Sequence, residues 1–261
     1  MAQEDSKKRF NDLMDNHLLL LFAYGSVVYD TQTELSDTDF IGVVDDSIDF
    51  SDCVNGMWEY QFEYFDYQFV NESTWIQMIK NHHIHWLECY PLAGTDFIVR
   101  GNPENWMQYF TLDKWKMRQV ISQIANNSWA KCHKKLVVEK DYDLYRAQKS
   151  LFHCLRLLMF GWQIGKYGKI TDYKCANEYW HEIRNMCSTF APFSEGERIW
   201  QMYNEKYKPL FNHLRSKMVE VCPKPDGYKM ENQSKSKKKS PTAEAEDLAA
   251  WFPGNGITQA G

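Results

Sequence analysis

Apolar positions along the chain change their period twice, and the changes divide it. Between residues 6 and 16, Phe10, Leu13 and Met14 recur at helical spacing among charged neighbours, which predicts an opening helix. "LLLLFAY" (18–24) is a continuous apolar run stopped by Gly25, the pattern of a buried strand. Gly25-Ser26 then opens a turn or short helix. "DTDFIGVV" (37–44) predicts a second strand, and "MWEYQFEYFDYQFV" (57–70) a third, aromatic and partly alternating. Asn71-Glu-Ser-Thr supplies capping groups for a helix near 74–81, where Trp75, Met78 and Ile79 share a face. A short helix or loop near 84–90, a small strand near 97–99 and a loop at Gly101-Asn-Pro follow.

From 104 onward the strand alternation stops. Helical spacing predicts segments at 104–110, 113–131, 141–165, 175–187 and around 195–220. The expected fold is therefore α/β (α+β). A small mixed-sheet domain over 1–112 precedes an α-helical domain over 113–223 that closes the other side of a cleft. Past Pro223 the composition shifts to "QSKSKKKSPTAEAED", too polar to order a chain, so 224–261 reads as a disordered tail. "LAAWFPGNG" is a small apolar exception inside it, and no internal repeat is visible.

Composition narrows the class. With 44% hydrophobic and 15% aromatic residues in 261, a sizeable core is expected. No run reaches the length of a membrane span, and "MAQEDSKKRFNDLMDN" lacks the basic start of a secretory leader. These features lead to the expectation of an intracellular protein, cytoplasmic with the nucleus open, and no membrane partner. Seven cysteines, scattered and without CxxC spacing, point to reduced thiols rather than disulfides or zinc. The net charge of −5 argues against a general polyanion binder, so a nucleic-acid partner would need a local basic patch.

The chemistry concentrates in "AYGSVVYDTQTELSDTDFIGVVDDS" (23–47). Residues i and i+2 of a strand share a face, so Asp37 and Asp39 point together and Thr38 points away. Two adjacent carboxylates repel unless a cation lies between them, and oxygen ligands suit Mg²⁺. A glycine directly after a strand lets a phosphate approach the backbone, where amide N–H groups and the Ser26 hydroxyl can hold it. Strand, Gly-Ser, spacer and Asp-x-Asp together read as a grip on a nucleoside triphosphate and its metal. The plain alternative is an ordinary turn, since aspartate is common at strand entries.

The run resembles the signature of the DNA polymerase β-type nucleotidyltransferase superfamily: an apolar residue, Gly, Gly or Ser, a spacer, then Asp-apolar-Asp entering a strand. It stands here as Tyr24-Gly25-Ser26 and Ser36-Asp37-Thr38-Asp39-Phe40, with polar Thr38 departing from the pattern. The superfamily also uses a third carboxylate on a later strand. Asp66 in "EYFDYQFV" fits that place, with Glu59 and Glu63 as competitors. More narrowly, "FDYQFV", "HWLECYPL" and "KSLFHCLRLLMFGWQIGKYGKI" resemble the RNA-ligase-associated (RlaP-type) predicted nucleotidyltransferases, whose helical segment carries Lys-x₃-His-x₂-Arg. Here those residues are Lys149, His153 and Arg156.

The resemblance implies transfer of a nucleoside monophosphate from an NTP, ATP among them, to an acceptor hydroxyl with release of pyrophosphate. It implies two Mg²⁺ ions, with Mn²⁺ able to substitute, on Asp37, Asp39 and Asp66, the last also helping to deprotonate the acceptor. Gly25, Ser26 and Ser36 would serve the nucleotide, as would Lys149 and Arg156 from a cleft-facing stripe, with His153 as a wall. RNA ends, protein side chains and small molecules all stand open as acceptors. An inactive member that binds nucleotide or RNA is the alternative, and a pure interaction module is a third class.

Three further features read as structural. His82, His83 and His85 in "NHHIHWLE" lack the partners of a zinc shell and are expected to be surface or satisfied histidines, while Glu88 is expected to brace the active-site strands. Tyr24 and Phe40 are expected in the core. Trp129 with Lys131, Lys134 and Lys135 is a candidate basic-aromatic patch for RNA, and "KSKKK" (235–239) a solubilising run.

Overall fold

A computed structural model describes residues 2–33, 36–187 and 190–227. Helix α1 (Ala2–Asp12) and a π turn (Leu13–His17) lead into strand β1 (Leu18–Tyr24). The short helix α2 (Ser26–Tyr29) follows, then β2 (Thr38–Val44), β3 (Trp58–Phe62) and β4 (Phe65–Asn71). Helices α3 (Glu72–Lys80) and α4 (Ile84–Cys89) precede the last strand, β5 (Ile98–Arg100). A run of 3₁₀ turns at Pro103–Tyr109 leads to α5 (Lys114–Val137), α6 (Leu144–Tyr167), α7 (Asn177–Asn185) and α8 (Gly196–Val221).

The protein is α/β, with one five-stranded mixed sheet in the order β3-β4-β2-β1-β5. Strands β2 and β4 run parallel, and the other neighbours are antiparallel. Strand β1, between β2 and the edge strand β5, is apolar because both of its faces are covered. Leu20 and Phe22 enter the larger core on the helix side, while Leu18 and Leu21 enter a smaller one beneath α1. Gly42 on β2 leaves room for the Phe69 ring, which a Cβ would meet at 2.5 Å.

The expected single strand over 57–70 is corrected to a hairpin. The chain reverses at Glu63-Tyr64, with Glu63 at φ 54°. No Gly, Pro or Asn marks the turn, and aromatic residues on both arms make the alternation look continuous. Asn71 does cap α3, accepting from the Thr74 N–H at 3.1 Å.

Helix α6 is the spine of the helical half, packed between α5 and α8. Its stripe of Leu151, Cys154, Leu155 and Leu158 is fully buried. The large core runs without a break from Leu20 and Ile41 of the sheet to Phe160, Tyr203 and Phe211 of the helices. The expected boundary near 112 falls in the loop before α5, where Asp113 accepts from the Lys116 N–H at 3.0 Å. The seven cysteines form no disulfide. Among the described residues no helix is long and apolar enough to cross a membrane. Most of the expected tail at 224–261, including "LAAWFPGNG" and "KSKKK", lies outside the described residues.

Candidate active site

Register builds a row of side chains across the sheet. Tyr24 at the end of β1 pairs with Asp39, Asp39 with Asp66 at the start of β4, and Asp66 with Gln61 of β3. Residues paired directly across strands share a face. This row lies on the same side as Phe22, Ile41 and Val70, the side covered by the helices. Asp37 stands just ahead of β2, whose start is pinned by the Thr38 N–H donating to Tyr64 O at 2.8 Å.

Gly25 sits against this row. Its φ of 76° is a conformation that L side chains rarely adopt, and a Cβ there would lie 2.5 Å from Asp39 Oδ2. The Gly25 carbonyl accepts from the Val28 and Tyr29 N–H groups and so starts α2, with half-buried Ser26 at its head. Ser36 is occupied locally: its hydroxyl accepts from the Thr33 N–H at 2.9 Å.

Electrostatics follows the geometry. Burial pushes the Asp39 carboxyl up to about 6; Lys149 opposes the shift, and the charges of Asp66 and Asp37 add to it. Asp66 is raised by burial first, then by Asp37 and Glu59. Tyr24 is raised by burial and then by Asp39. Asp37 and Asp66 therefore act on Asp39, Asp37 acts on Asp66, and Lys149 on α6 is near enough to oppose the rise at Asp39. Of the competing carboxylates, Glu63 lies in the hairpin turn. Glu59 lies exposed on β3, within reach of Asp66 only as a field.

The α6 stripe does not present one face to a cleft. Lys149 is exposed, but Arg156 is buried at 6% exposure. Its guanidinium stacks 3.5 Å from the centre of the Tyr29 ring and donates to His153 Nδ1 at 2.7 Å. The seven-residue spacing that suggested a shared surface carries Arg156 beneath α2, where aromatic rings offer a better place for a flat cation than water does. His153 is driven well below its ordinary pKa by burial, then by Arg156, Lys131 and Lys149. It is a neutral acceptor.

Tyr29 donates to Glu88 Oε2 at 2.6 Å, and Arg156 lowers the Glu88 pKa against the upward push of burial. Glu88 thus braces α2, the element that follows Gly25. Of the histidines of "NHHIHWLE", expected at the surface or satisfied within the fold, His82 and His85 are buried and His83 is half-buried. His82 accepts from the Asp113 N–H at 2.9 Å, and His85 lies 5.3 Å from the Tyr24 ring with its pKa lowered by burial to about 4. Trp129 packs on Trp200 and Phe211 at 5.5 and 5.1 Å, roughly opposite Lys131 around α5, so the expected Trp129 patch is not one surface.

Tyr29 and His85 were missed as site neighbours because only the fold brings them to the α2 turn and to Tyr24. Among the described residues, no three His, Cys, Asp or Glu side chains are already gathered as a coordination shell. Surface hollows of about 250 and 370 Å³ lie elsewhere, beside Trp106 and beside Tyr179.

No protein-family model matches the chain, and no curated protein matches it. Among solved structures, a nucleotidyltransferase-like protein from Exiguobacterium sibiricum 255-15 overlaps 85% of this chain and 77% of its own. The identity is 11% and the TM-score 0.30, a likeness too slight to bear on activity or substrate.

Proposed function

We propose that the protein is a metal-dependent nucleotidyltransferase that moves a nucleoside monophosphate from an NTP to an acceptor hydroxyl. The observation that carries this reading is the alignment of Asp39 with Asp66 across parallel strands, with Asp37 at the entry, Gly25 against Asp39 and Lys149 opposite. Three neighbouring carboxylates, two of which (Asp39 and Asp66) have their pKa raised by burial and by the charges beside them, are a donor set suited to a hard divalent cation, which relieves their repulsion. Asp37, Asp39 and Asp66 would hold Mg²⁺ or Mn²⁺, which when bound neutralises phosphate charge and stabilises the attacking and leaving oxygens.

The chain's own groups do the rest. Lys149 takes the outer phosphates as a charge-assisted donor. Gly25 lets a phosphate approach the turn where any side chain would block it. Asp66, with its raised proton affinity, accepts the proton of the acceptor hydroxyl. The new bond joins that oxygen to the α-phosphorus, the bond to the β-phosphate bridge breaks, and pyrophosphate leaves. Arg156 is assigned to holding α2 rather than to phosphate.

One observation favours the rival reading, a nucleotide- or RNA-binding protein without turnover: among the described residues no three ligands are pre-gathered. The test is incubation with each α-labelled NTP, Mg²⁺ and an RNA pool. Mg²⁺-dependent label transfer that disappears in Asp39→Asn supports transfer. A nucleotide-induced rise in melting temperature with no label transfer supports the rival.

A further inference from the structure

A basic and aromatic surface extends from Lys149. On α6, Tyr145, Arg146 and Lys149 stand at spacings that bring them to one side of the helix. On α5, Lys131 and Lys135 are one turn apart on the flank nearest that side. Lys134 turns away to Asp141 at 3.0 Å, and Arg146 pairs with Asp143 at 3.3 Å. Lys131 is exposed, yet crowding around its ammonium lowers its pKa. Arg146, Lys135 and Lys149 lower it further, and Asp143 opposes them. Four cations thus converge against one nearby carboxylate, in a protein whose net charge is −5.

Tyr145 is 38% exposed, with Lys149 Nζ 5.6 Å and the Arg184 guanidinium 5.7 Å from the centre of its ring. An acidic peptide would use the charges and ignore the ring. A single strand uses both, because its phosphates need cations and its bases need a flat face. The outer phosphates of an NTP are a poorer fit. Lys149 acts on Asp39 as well as on Lys131, whereas Lys135 and Arg146 act on Lys131.

We propose that this surface binds the single-stranded end of a nucleic acid, with phosphates on Lys131, Lys135 and Arg146 and a base on Tyr145, leading that end toward Lys149 and the acid row. The binding stands on its own observations. The direction of the strand rests on the transfer reading and deepens it by naming the acceptor class.

The test is fluorescence anisotropy of the full chain with a labelled single-stranded RNA of about 12 nucleotides, over about 50 to 200 mM salt. Three cationic contacts at about 0.7 each predict a log–log salt slope near −2, and Lys131→Ala/Lys135→Ala should reduce its magnitude by about 1.4. Tyr145→Ala should weaken binding roughly tenfold, the scale of one stacked base, while Tyr145→Phe keeps it. All three variants should retain the wild-type melting temperature and the shift produced by Mg²⁺ and NTP. Absence of RNA binding by the wild type, or equal binding by every variant, overturns the proposal. So does equal displacement by polyglutamate and RNA together with a neutral Tyr145→Ala, because the surface would then be a general anion site. RNA binding without any NTP-induced shift would instead remove the transfer reading and leave the strand site standing.

Discussion

Replacing Asp39 by Asn should stabilise the free protein while disabling it. Asn keeps the shape of the carboxyl and removes a charge that burial, Asp66 and Asp37 all oppose. The folded pKa of about 6 lies above the ordinary 3.8, so the native state holds this proton more tightly than the unfolded chain does. Below about pH 4 both states are protonated and the substitution should be neutral. As pH rises from about 4 to about 6, the wild type loses stability relative to the variant, and above about 6 the gap is constant.

A shift of about two pKa units is worth at most about 3 kcal/mol, and solvent screening of a half-buried group leaves about 1–2 kcal/mol. For a chain of this size that corresponds to roughly 3–6 °C in melting temperature. The assay is thermal unfolding of both proteins from pH 4 to 8, without and with Mg²⁺ and NTP. With ligand the order should reverse, since only the wild type gains a cation between its carboxylates. A melting-temperature difference that does not change with pH would refute the reasoning, because Asp39 would then not be a strained charge.

Gly25→Ala should cost about 1–3 kcal/mol from its left-handed backbone alone, and also abolish the Mg²⁺–NTP thermal shift by driving Asp39 aside; unfolding and ligand titration check both. Lys149→Ala should raise the KM for NTP roughly tenfold, the scale of a lost charge-assisted contact, with no change in melting temperature; steady-state kinetics decides. Arg156→Ala should lower stability by roughly 2–4 kcal/mol, since it empties the place of a buried guanidinium stacked on Tyr29, and Arg156→Lys should restore the charge without the stacking; denaturant titration of both variants reads this.

Much of the fold was legible because its signals are local. "LLLLFAY" is an unbroken apolar run stopped by a glycine, which marks a buried strand. The capping group of Asn71 and the apolar stripe of α6 follow from spacing alone. The hairpin was not legible, because a turn made of Glu63 and Tyr64 carries none of the residues that usually mark one. For the site, the Asp-x-Asp and Gly-Ser pairs were visible as short-range patterns. That Asp66 would lie level with Asp39 depends on the register of a parallel pair whose partners are joined through a separate hairpin. Arg156 failed for a different reason. Helical periodicity says which side chains share a side, but not how deep that side lies once α2 and Tyr29 are laid over it.

That depth difference gives α6 two distinct holds on the acid row. At its exposed end, Lys149 acts directly on Asp39 through its charge. Two turns further on, Arg156 acts through contact: it stacks on Tyr29, Tyr29 is tied to Glu88, and Tyr29 closes the helix begun at Gly25, whose missing side chain leaves Asp39 its place. The first hold is electrostatic and weakens with salt; the second is packing and does not. Raising ionic strength should therefore reduce nucleotide affinity while leaving the geometry of the turn intact. The position of Asp39 is set by the core that sheet and helices share, and its charge is set at the surface.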